Sequence, residues 1–191
     1  MNPRFNRPLT LEEQRSLLLK LPEIPEDHAI GRMLIEAILY SGIHPVTLAD
    51  PKKHRLSILD DGQLSLVRPK NRKPVFIPLC PEAQALFPVL LKELSAHPRS
   101  AVRINQLIHA AAKLIGFGWI NPRILRHTFG YRAWLAFHDA HLVSVWMGCD
   151  IQTVFNYYVN PETSDAKRRI LSIGWESPST ESQSPSSDPH A

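Results

Sequence analysis

The sequence predicts an α+β fold that is mainly α-helical and contains one small three-stranded antiparallel sheet. Apolar residues recur with helical periodicity at both ends of the chain. Its middle contains three short runs rich in β-branched and aliphatic residues, at 54–60, 63–69 and 73–79. Asp61-Gly62 lies between the first two runs, and this dipeptide is typical of a hairpin turn. Helices, a three-stranded meander and further helices are therefore expected to follow one another along the chain.

Two helices are expected before the sheet. Thr10 and Glu13 form a capping-box pattern, which predicts a helix start, and Pro22 ends the helix that follows. The second helix carries apolar residues spaced three and four apart: Ile30, Met33, Leu34, Ala37 and Ile38. Gly42 and Pro45 are expected to end it.

The helical period returns after the sheet. One helix is expected from Glu82 to Ala96, and another ends at Gly116. Four more helical segments fit 122–138, 141–147, 151–159 and 162–172. The third of these places four apolar or aromatic residues on one face: Ile151, Val154, Phe155 and Tyr158. We therefore expect Phe155 in the core, and Tyr158 as a core aromatic with its hydroxyl at the edge.

Charge is distributed unevenly along the chain. The 191 residues carry a formal net charge of +4, and because the tail at 175–191 carries −3, residues 1–174 carry +7. A basic domain suits a polyanion such as DNA, since Lys and Arg displace counterions from phosphates. The tail is rich in Ser and Pro and has no large apolar residue after Trp175, so we expect it to be disordered.

Several other classes of protein are excluded. Two cysteines, Cys80 and Cys149, are too few for a disulfide framework and form no CxxC zinc pair. His138 and His141 have no third metal ligand nearby, so no metal site is expected. The N-terminus lacks the apolar stretch of a secretory signal, and no apolar run is long enough to span a membrane. We therefore expect a cytoplasmic protein without a membrane partner.

Two segments carry residues suited to phosphate chemistry. Arg123 and Arg126 lie three residues apart at the start of a predicted helix, where two guanidinium groups would clamp a phosphate. The alternative is two solvated arginines on an ordinary helix. Tyr158 lies in the predicted helix at 151–159, which follows Gly148. A phenol is a weak nucleophile unless neighbouring cations stabilise the phenolate.

The sequence LRHTFG followed by MGCDIQTVFNYYV resembles the catalytic domain of the tyrosine recombinases, the phage-integrase family. In that family His-x-x-Arg-His-Thr precedes Leu-Gly-His, and the tyrosine lies nine residues after that last histidine. Here Cys149 plus nine is Tyr158. Three upstream segments, PLTLEEQRSLLLKLP, LYSGIHPVTLAD and RPKNRKPVFIPL, resemble the family's opening helix, arginine turn and lysine hairpin in the same order.

The chain departs from the family pattern at four positions, which fall on His44, Thr47, Arg123 and Cys149. The first two replace an arginine and its partner acid. Arg123 replaces a histidine, and Cys149 replaces a histidine or tryptophan. Arg126, Lys70 and Tyr158 match the pattern. His44 stands where the family has an arginine, and Arg123 stands where the family has a histidine. The residues of the two positions therefore look exchanged. Drift after loss of activity would give the same substitutions.

The resemblance implies a reaction on double-stranded DNA. Tyr158 would attack a phosphodiester and leave a 3′-phosphotyrosine, with Arg126, Arg123 and His44 stabilising the phosphate and Lys70 protonating the leaving 5′-oxygen. Tyr157 competes with Tyr158 as nucleophile, and the nine-residue spacing favours Tyr158. Contacts to the DNA are expected from four further residues: Arg68, Arg72, Lys73 and His127. Neither a metal nor a cofactor is required.

The resemblance also implies a domain organisation and a set of partners. Residues 10–174 would form the catalytic-type domain after a lead-in at 1–9, without a separate core-binding domain. A homo-oligomer on DNA or a partner recombinase would complete the assembly. Site-specific recombination or integration is the first functional hypothesis. A catalytically degenerate DNA-binding regulator of transcription or of a mobile element is the second, and a helix-turn-helix repressor is a third.

Overall fold

Eight α-helices and three short strands follow one another along residues 7–67 and 73–158, the part of the chain that this computed structural model describes. The helices are α1 (Leu11–Lys20), α2 (Ala29–Ser41), α3 (Pro45–Ala49), α4 (Pro81–Ala96), α5 (Ala101–Leu114), α6 (Pro122–Phe137), α7 (Ala140–Met147) and α8 (Ile151–Tyr158). The strands are β1 (Ser57–Ile58), β2 (Leu64–Val67) and β3 (Pro74–Ile77). These elements confirm the predicted α+β fold, mainly helical with a small antiparallel sheet. The expected helix at 162–172 and the tail at 175–191 lie outside the described residues.

The capping box at the start of α1 forms as predicted. The Glu13 amide donates to the Thr10 hydroxyl at 3.1 Å, and the Thr10 amide donates to the Glu13 carboxylate at 2.8 Å. Arg7 adds two hydrogen bonds to the same carboxylate, both 2.7 Å, and this contact lowers the pKa of Glu13 to about 2. The chain entering α1 is therefore fixed by local contacts.

Helix α2 lies at the centre of the domain and packs against α4, α5 and α6. Gly31 lets α5 approach it closely, because a Cβ at this position would lie 2.6 Å from the Leu107 carbonyl oxygen and 2.7 Å from the Ala111 Cβ. Gly42 ends α2 with a positive φ of 63°, as its position in the sequence predicts. The core against α2 is apolar, and its fully buried side chains on this helix include Leu34, Ile35 and Ile38.

The sheet has the order β1-β2-β3, and both pairs of strands are antiparallel. Gly62 has a φ of 80° in the turn between β1 and β2, which confirms the predicted hairpin. Leu64 pairs with Ile77 and Leu66 with Val75, and all four side chains are buried on one face. The connection from β2 to β3 spans residues 68–73, of which 68–72 lie outside the described part of the chain.

Three helices at the end of the described chain position the site. Asp139 caps the start of α7, and Gly148 ends it with a φ of 63°. Helix α8 follows closely and packs against α6 and α7. The expectation that Phe155 lies in the core is wrong, since its side chain is 44% exposed. Val154 and Tyr158 form the buried side of α8 instead.

Helix α3 was not expected from the sequence. Pro45 ends α2 in the sequence pattern, yet it also occupies the first turn of a new short helix, where proline is favoured. His44 caps that helix through its Nδ1, which accepts a hydrogen bond from the Val46 amide at 3.2 Å.

Within residues 7–67 and 73–158 no helix is long and apolar enough to cross a bilayer.

The Thr128 hydroxyl joins the segment before α1 to α6. The Leu9 amide donates to the Thr128 Oγ1 at 2.9 Å, and that hydroxyl donates to the Ile124 carbonyl at 2.8 Å. Leu9 is 1% exposed and Thr128 is fully buried. Replacing the hydroxyl with a methyl group would therefore leave a buried amide without an acceptor.

We expect Thr128→Val to lower the free energy of unfolding by about 1–3 kcal/mol, the cost of a buried unpaired donor. Thr128→Ser is the matched control, because it keeps the hydroxyl and loses only a methyl group. Urea denaturation of both variants measures the difference. A Val variant as stable as the Ser variant would show that Leu9 finds another acceptor.

Candidate active site

A cleft of about 690 Å³ opens between α3, α6 and α8. All the predicted site residues that the described part of the chain contains, apart from Lys73, line this cleft: His44, Arg123, Arg126, His127 and Tyr158. Tyr157 lines it too. The fold thus brings together residues that are separated by more than a hundred positions in the sequence.

Four predicted residues are not placed in the cleft. Lys70, Arg68 and Arg72 fall at 68–72, outside the described residues, so their predicted roles stay predictions. Lys73 is exposed just before β3 and does not line the cleft.

The start of α6 presents the two predicted arginines. Asn121 caps this helix by accepting the Ile124 amide at 3.0 Å, and Pro122 occupies the first turn. Arg123 and Arg126 lie three residues apart, so both reach the cleft from the same side of the helix. The positive end of the helix dipole lies at the same place, which favours an anion there.

Arg126 is held by the backbone of two other segments. Its guanidinium donates to the Gly42 carbonyl, just after α2, and to the Met147 carbonyl at 3.0 Å, at the end of α7. Both carbonyls lie where a helix ends, and the last carbonyls of a helix lack partners within it. One cationic side chain therefore ties α2, α6 and α7 together at the wall of the cleft.

The Tyr158 phenol lies against α6 and is 4% exposed. Its hydroxyl is 2.8 Å from His127 Nδ1, within hydrogen-bonding distance. Burial raises the pKa of Tyr158 above the ordinary value of 10.0, and Cys149 adds to the effect, whereas Arg126 and Arg123 act in the opposite direction. The phenol is therefore protonated at neutral pH.

His127 is neutral in this position. Burial first, and then the charges of Arg123 and Arg126, lower its pKa to about 4. The pKa of His44 is also lowered, by burial and by the charge of Arg126. The two imidazoles are thus uncharged at neutral pH, and the guanidinium groups supply the positive charge of the cleft.

The other tyrosine has a different environment. Tyr157 is 49% exposed, and its ring centroid lies 5.2 Å from that of His127. Both tyrosines therefore lie beside the same imidazole, but only the Tyr158 hydroxyl is hydrogen-bonded to it within the described structure. The positions of the two tyrosines in the cleft are therefore compatible with either phenol as the nucleophile.

Gly130 is a site residue that the sequence analysis did not identify. A Cβ at this position would lie 2.8 Å from the Tyr158 Cζ and 2.9 Å from its hydroxyl oxygen. The absence of a side chain makes room for the phenol against α6. The signal available in the sequence was a glycine inside a predicted helix, which often marks a close approach.

The remaining substituted positions carry no charge into the cleft. Thr47 is buried on α3, and Cys149 is half-buried after α7. Among the described residues, no three His, Cys, Asp or Glu side chains lie close enough together to hold a metal ion. His138 and His141 therefore belong to no such group.

Protonation of His127 should destabilise the fold. The folded state takes up this proton only near pH 4, whereas the unfolded chain takes it up near the ordinary pKa of 6.5. The free energy of unfolding is therefore highest above pH 6.5 and falls as the pH drops towards 4. At about 1.4 kcal/mol per pKa unit, the loss attributable to His127 reaches at most about 3 kcal/mol.

We expect His127→Asn, which has no titrating group, to show a smaller loss of stability across this pH range than the unchanged protein. Urea denaturation at several pH values measures both curves, and His44 contributes equally to each. Parallel curves for the two proteins would show that His127 titrates normally in the fold.

The fold matches solved structures of DNA recombinases, although no family model matches the sequence and comparison with curated proteins gives no match. One match is the XerH site-specific recombinase bound to its difH substrate, with a TM-score of 0.65 and 18% identity over 91% of this chain. The XerA recombinase gives a TM-score of 0.64 and 17% identity over 88% of this chain. The Tn1549 transposon integrase in complex with a circular intermediate DNA gives 0.64 and 19% over 90%.

The matches extend over part of each solved structure. This chain covers 55% of the XerH chain, 65% of the XerA chain and 66% of the Tn1549 integrase chain. The similarity covers 88–91% of this chain, in agreement with the family resemblance of the sequence motifs. The chain therefore has the fold of the catalytic domain of the tyrosine recombinases.

Proposed function

We propose that this protein cleaves and rejoins double-stranded DNA through a 3′-phosphotyrosine, in site-specific recombination or integration. The observation that carries the proposal is the cleft in which Arg123, Arg126 and His44 meet the Tyr158 phenol. Solved structures with the same fold support it, because the XerH recombinase structure contains its difH substrate and the Tn1549 integrase structure contains DNA. Double-stranded DNA is therefore the proposed partner.

The charges of the cleft suit a phosphodiester. Two arginines line the cleft, and none of the described lining residues is acidic. Two guanidinium groups beside the start of α6 match the negative charge that develops on the non-bridging oxygens during attack. His44 would supply a neutral hydrogen-bond donor, because its pKa is lowered.

In the proposed reaction, side chains of the protein supply all the catalytic groups. Tyr158 forms the bond to phosphorus, Arg123 and Arg126 stabilise the phosphorane-like transition state, and Lys70 protonates the leaving 5′-oxygen. The phosphotyrosine conserves the energy of the phosphodiester, so the reaction requires no metal ion and no nucleotide cofactor. An oligomer on DNA, or a partner recombinase, would bring two cleaved strands together for exchange.

A regulator with the same fold is the second candidate function. The 4% exposure of the Tyr158 phenol favours it, because a nucleophile must reach its substrate. Such a protein would bind DNA through the same basic surface without cleaving it. An experiment that traps the covalent protein–DNA intermediate distinguishes a recombinase from a regulator.

We expect a pool of nicked duplexes, randomised in sequence around the nick, to yield a covalent protein–DNA adduct. Cleavage beside the nick releases a short fragment, so the strand cannot be rejoined and the phosphotyrosine accumulates. Denaturing gels detect the adduct, and sequencing the captured DNA identifies the target. Tyr158→Phe should abolish the adduct, because it removes the nucleophile and leaves the ring in place.

Tyr157→Phe is the matched control and should retain the adduct. The reverse result, with loss only in Tyr157→Phe, would move the nucleophile to the exposed tyrosine. No adduct with any duplex, combined with retained DNA binding in a gel-shift assay, would favour the regulator.

We expect Arg123→Met to slow adduct formation by about 100- to 1000-fold, the usual effect of removing one transition-state donor. Arg123 is exposed, so the variant should fold normally. Arg15→Met is the control, because Arg15 is an exposed arginine on α1 outside the cleft. Equal rates for the two variants would mean that Arg123 is an ordinary solvated arginine.

A further inference from the structure

We propose that His127 accepts the phenolic proton of Tyr158 during attack on the phosphodiester and returns it when the strands are rejoined. This inference rests on the proposed function and assigns His127 a role at the reacting atom rather than on the DNA backbone alone. It is carried by the contact between the imidazole and the phenol, which joins α6 to α8.

The contact between the two side chains is short and enclosed. His127 Nδ1 lies 2.8 Å from the Tyr158 hydroxyl oxygen, and the two residues are 9% and 4% exposed. Gly130, three residues after His127, gives the phenol its place against α6, since a Cβ there would overlap the ring. The hydroxyl is therefore held at the imidazole by the packing of the ring as well as by the hydrogen bond.

Other basic groups of the cleft are poorly suited to accept this proton. Arg123 and Arg126 are permanently protonated guanidinium groups and have no lone pair to offer. His44 uses its Nδ1 to cap α3 by accepting the Val46 amide. His127 has no such backbone duty in the described structure, and its Nδ1 faces the phenol.

The protonation state of His127 fits the role. Its lowered pKa of about 4 keeps the ring neutral at pH 7, so Nδ1 is able to accept a hydrogen bond from the phenol when Nε2 carries the ring proton. A phosphate in the cleft would offset the charges of Arg123 and Arg126, which lower that pKa, and so make the imidazole more basic as the substrate binds.

The transfer is coupled to attack. Formation of a phenolate and an imidazolium before attack is unfavourable, because the pKa of His127 is lowered and that of Tyr158 is raised. As the bond from the Tyr158 oxygen to phosphorus forms, the O–H bond breaks and the proton passes to Nδ1. The bond from phosphorus to the 5′-oxygen breaks, and that oxygen takes a proton from Lys70. Rejoining reverses each step.

The test separates a base at the nucleophile from an acid at the leaving group. The full-length protein is given nicked duplexes of the captured sequence with either the normal 5′-oxygen or a bridging 5′-sulfur at the cleaved bond. A thiolate leaves without protonation, so the sulfur substrate rescues a defect in the acid but not one in the base. His127→Asn is the test variant, because its side-chain amide occupies the place of Nδ1 and cannot take up the proton.

We expect His127→Asn to slow adduct formation by about 100-fold or more on both substrates, the usual contribution of a general base. His109→Asn is the control, since His109 is exposed on α5 outside the cleft, and it should react at the unchanged rate. Urea denaturation at pH 7 confirms that His127→Asn is folded, and His127→Gln serves as a second variant if it is not.

Two results would overturn the inference while the proposed function stands: a rate within about threefold of the unchanged protein, or rescue of His127→Asn by the sulfur substrate. Rescue would place His127 at the leaving group. Absence of an adduct with the unchanged protein would instead refute the proposed function, and this inference with it.

Discussion

The site depends on the way Arg126 is held between two helix ends. Its guanidinium donates to carbonyls at Gly42 and Met147, which lie at the C-terminal ends of α2 and α7. A cation there is favoured twice, by hydrogen bonds to carbonyls without helical partners and by the negative ends of two helix dipoles. The same interaction fixes where the cleft presents its positive charge. Three helices from distant parts of the sequence are thereby joined through one arginine side chain.

This arrangement places two cations beside a buried neutral pair. Arg123 and Arg126 lower the pKa of His127, and burial acts in the same direction. None of the described lining residues is acidic, and an anion bound in the cleft would offset the charges of both arginines. Residues that suit a phosphate in this way do not maximise the stability of the unliganded fold, which is a common relation between function and stability.

Local signals in the sequence predicted most of the fold. The capping box at Thr10, the turn at Gly62 and the helix end at Gly148 each follow from a few neighbouring residues, and each is present in the structure. The contact of His127 with Tyr158 could not be predicted in this way, because it joins residues 31 positions apart through the packing of α8 on α6. Periodicity likewise placed Phe155 on the face of Tyr158, but which part of that face is buried depends on how α8 packs on α6 and α7.

The apparent exchange of His44 and Arg123 is not a simple swap of two side chains. His44 caps α3 through an unprotonated Nδ1, whereas an arginine at this position has no acceptor and would leave the Val46 amide without its cap. Arg123 lies at the start of a helix, where a cation is opposed by the dipole but an anion bound beside it is favoured. Each residue is therefore explained by different local physics. Two guanidinium groups therefore line the cleft beside a neutral imidazole at the start of α3, and this arrangement suits the phosphate of the proposed function.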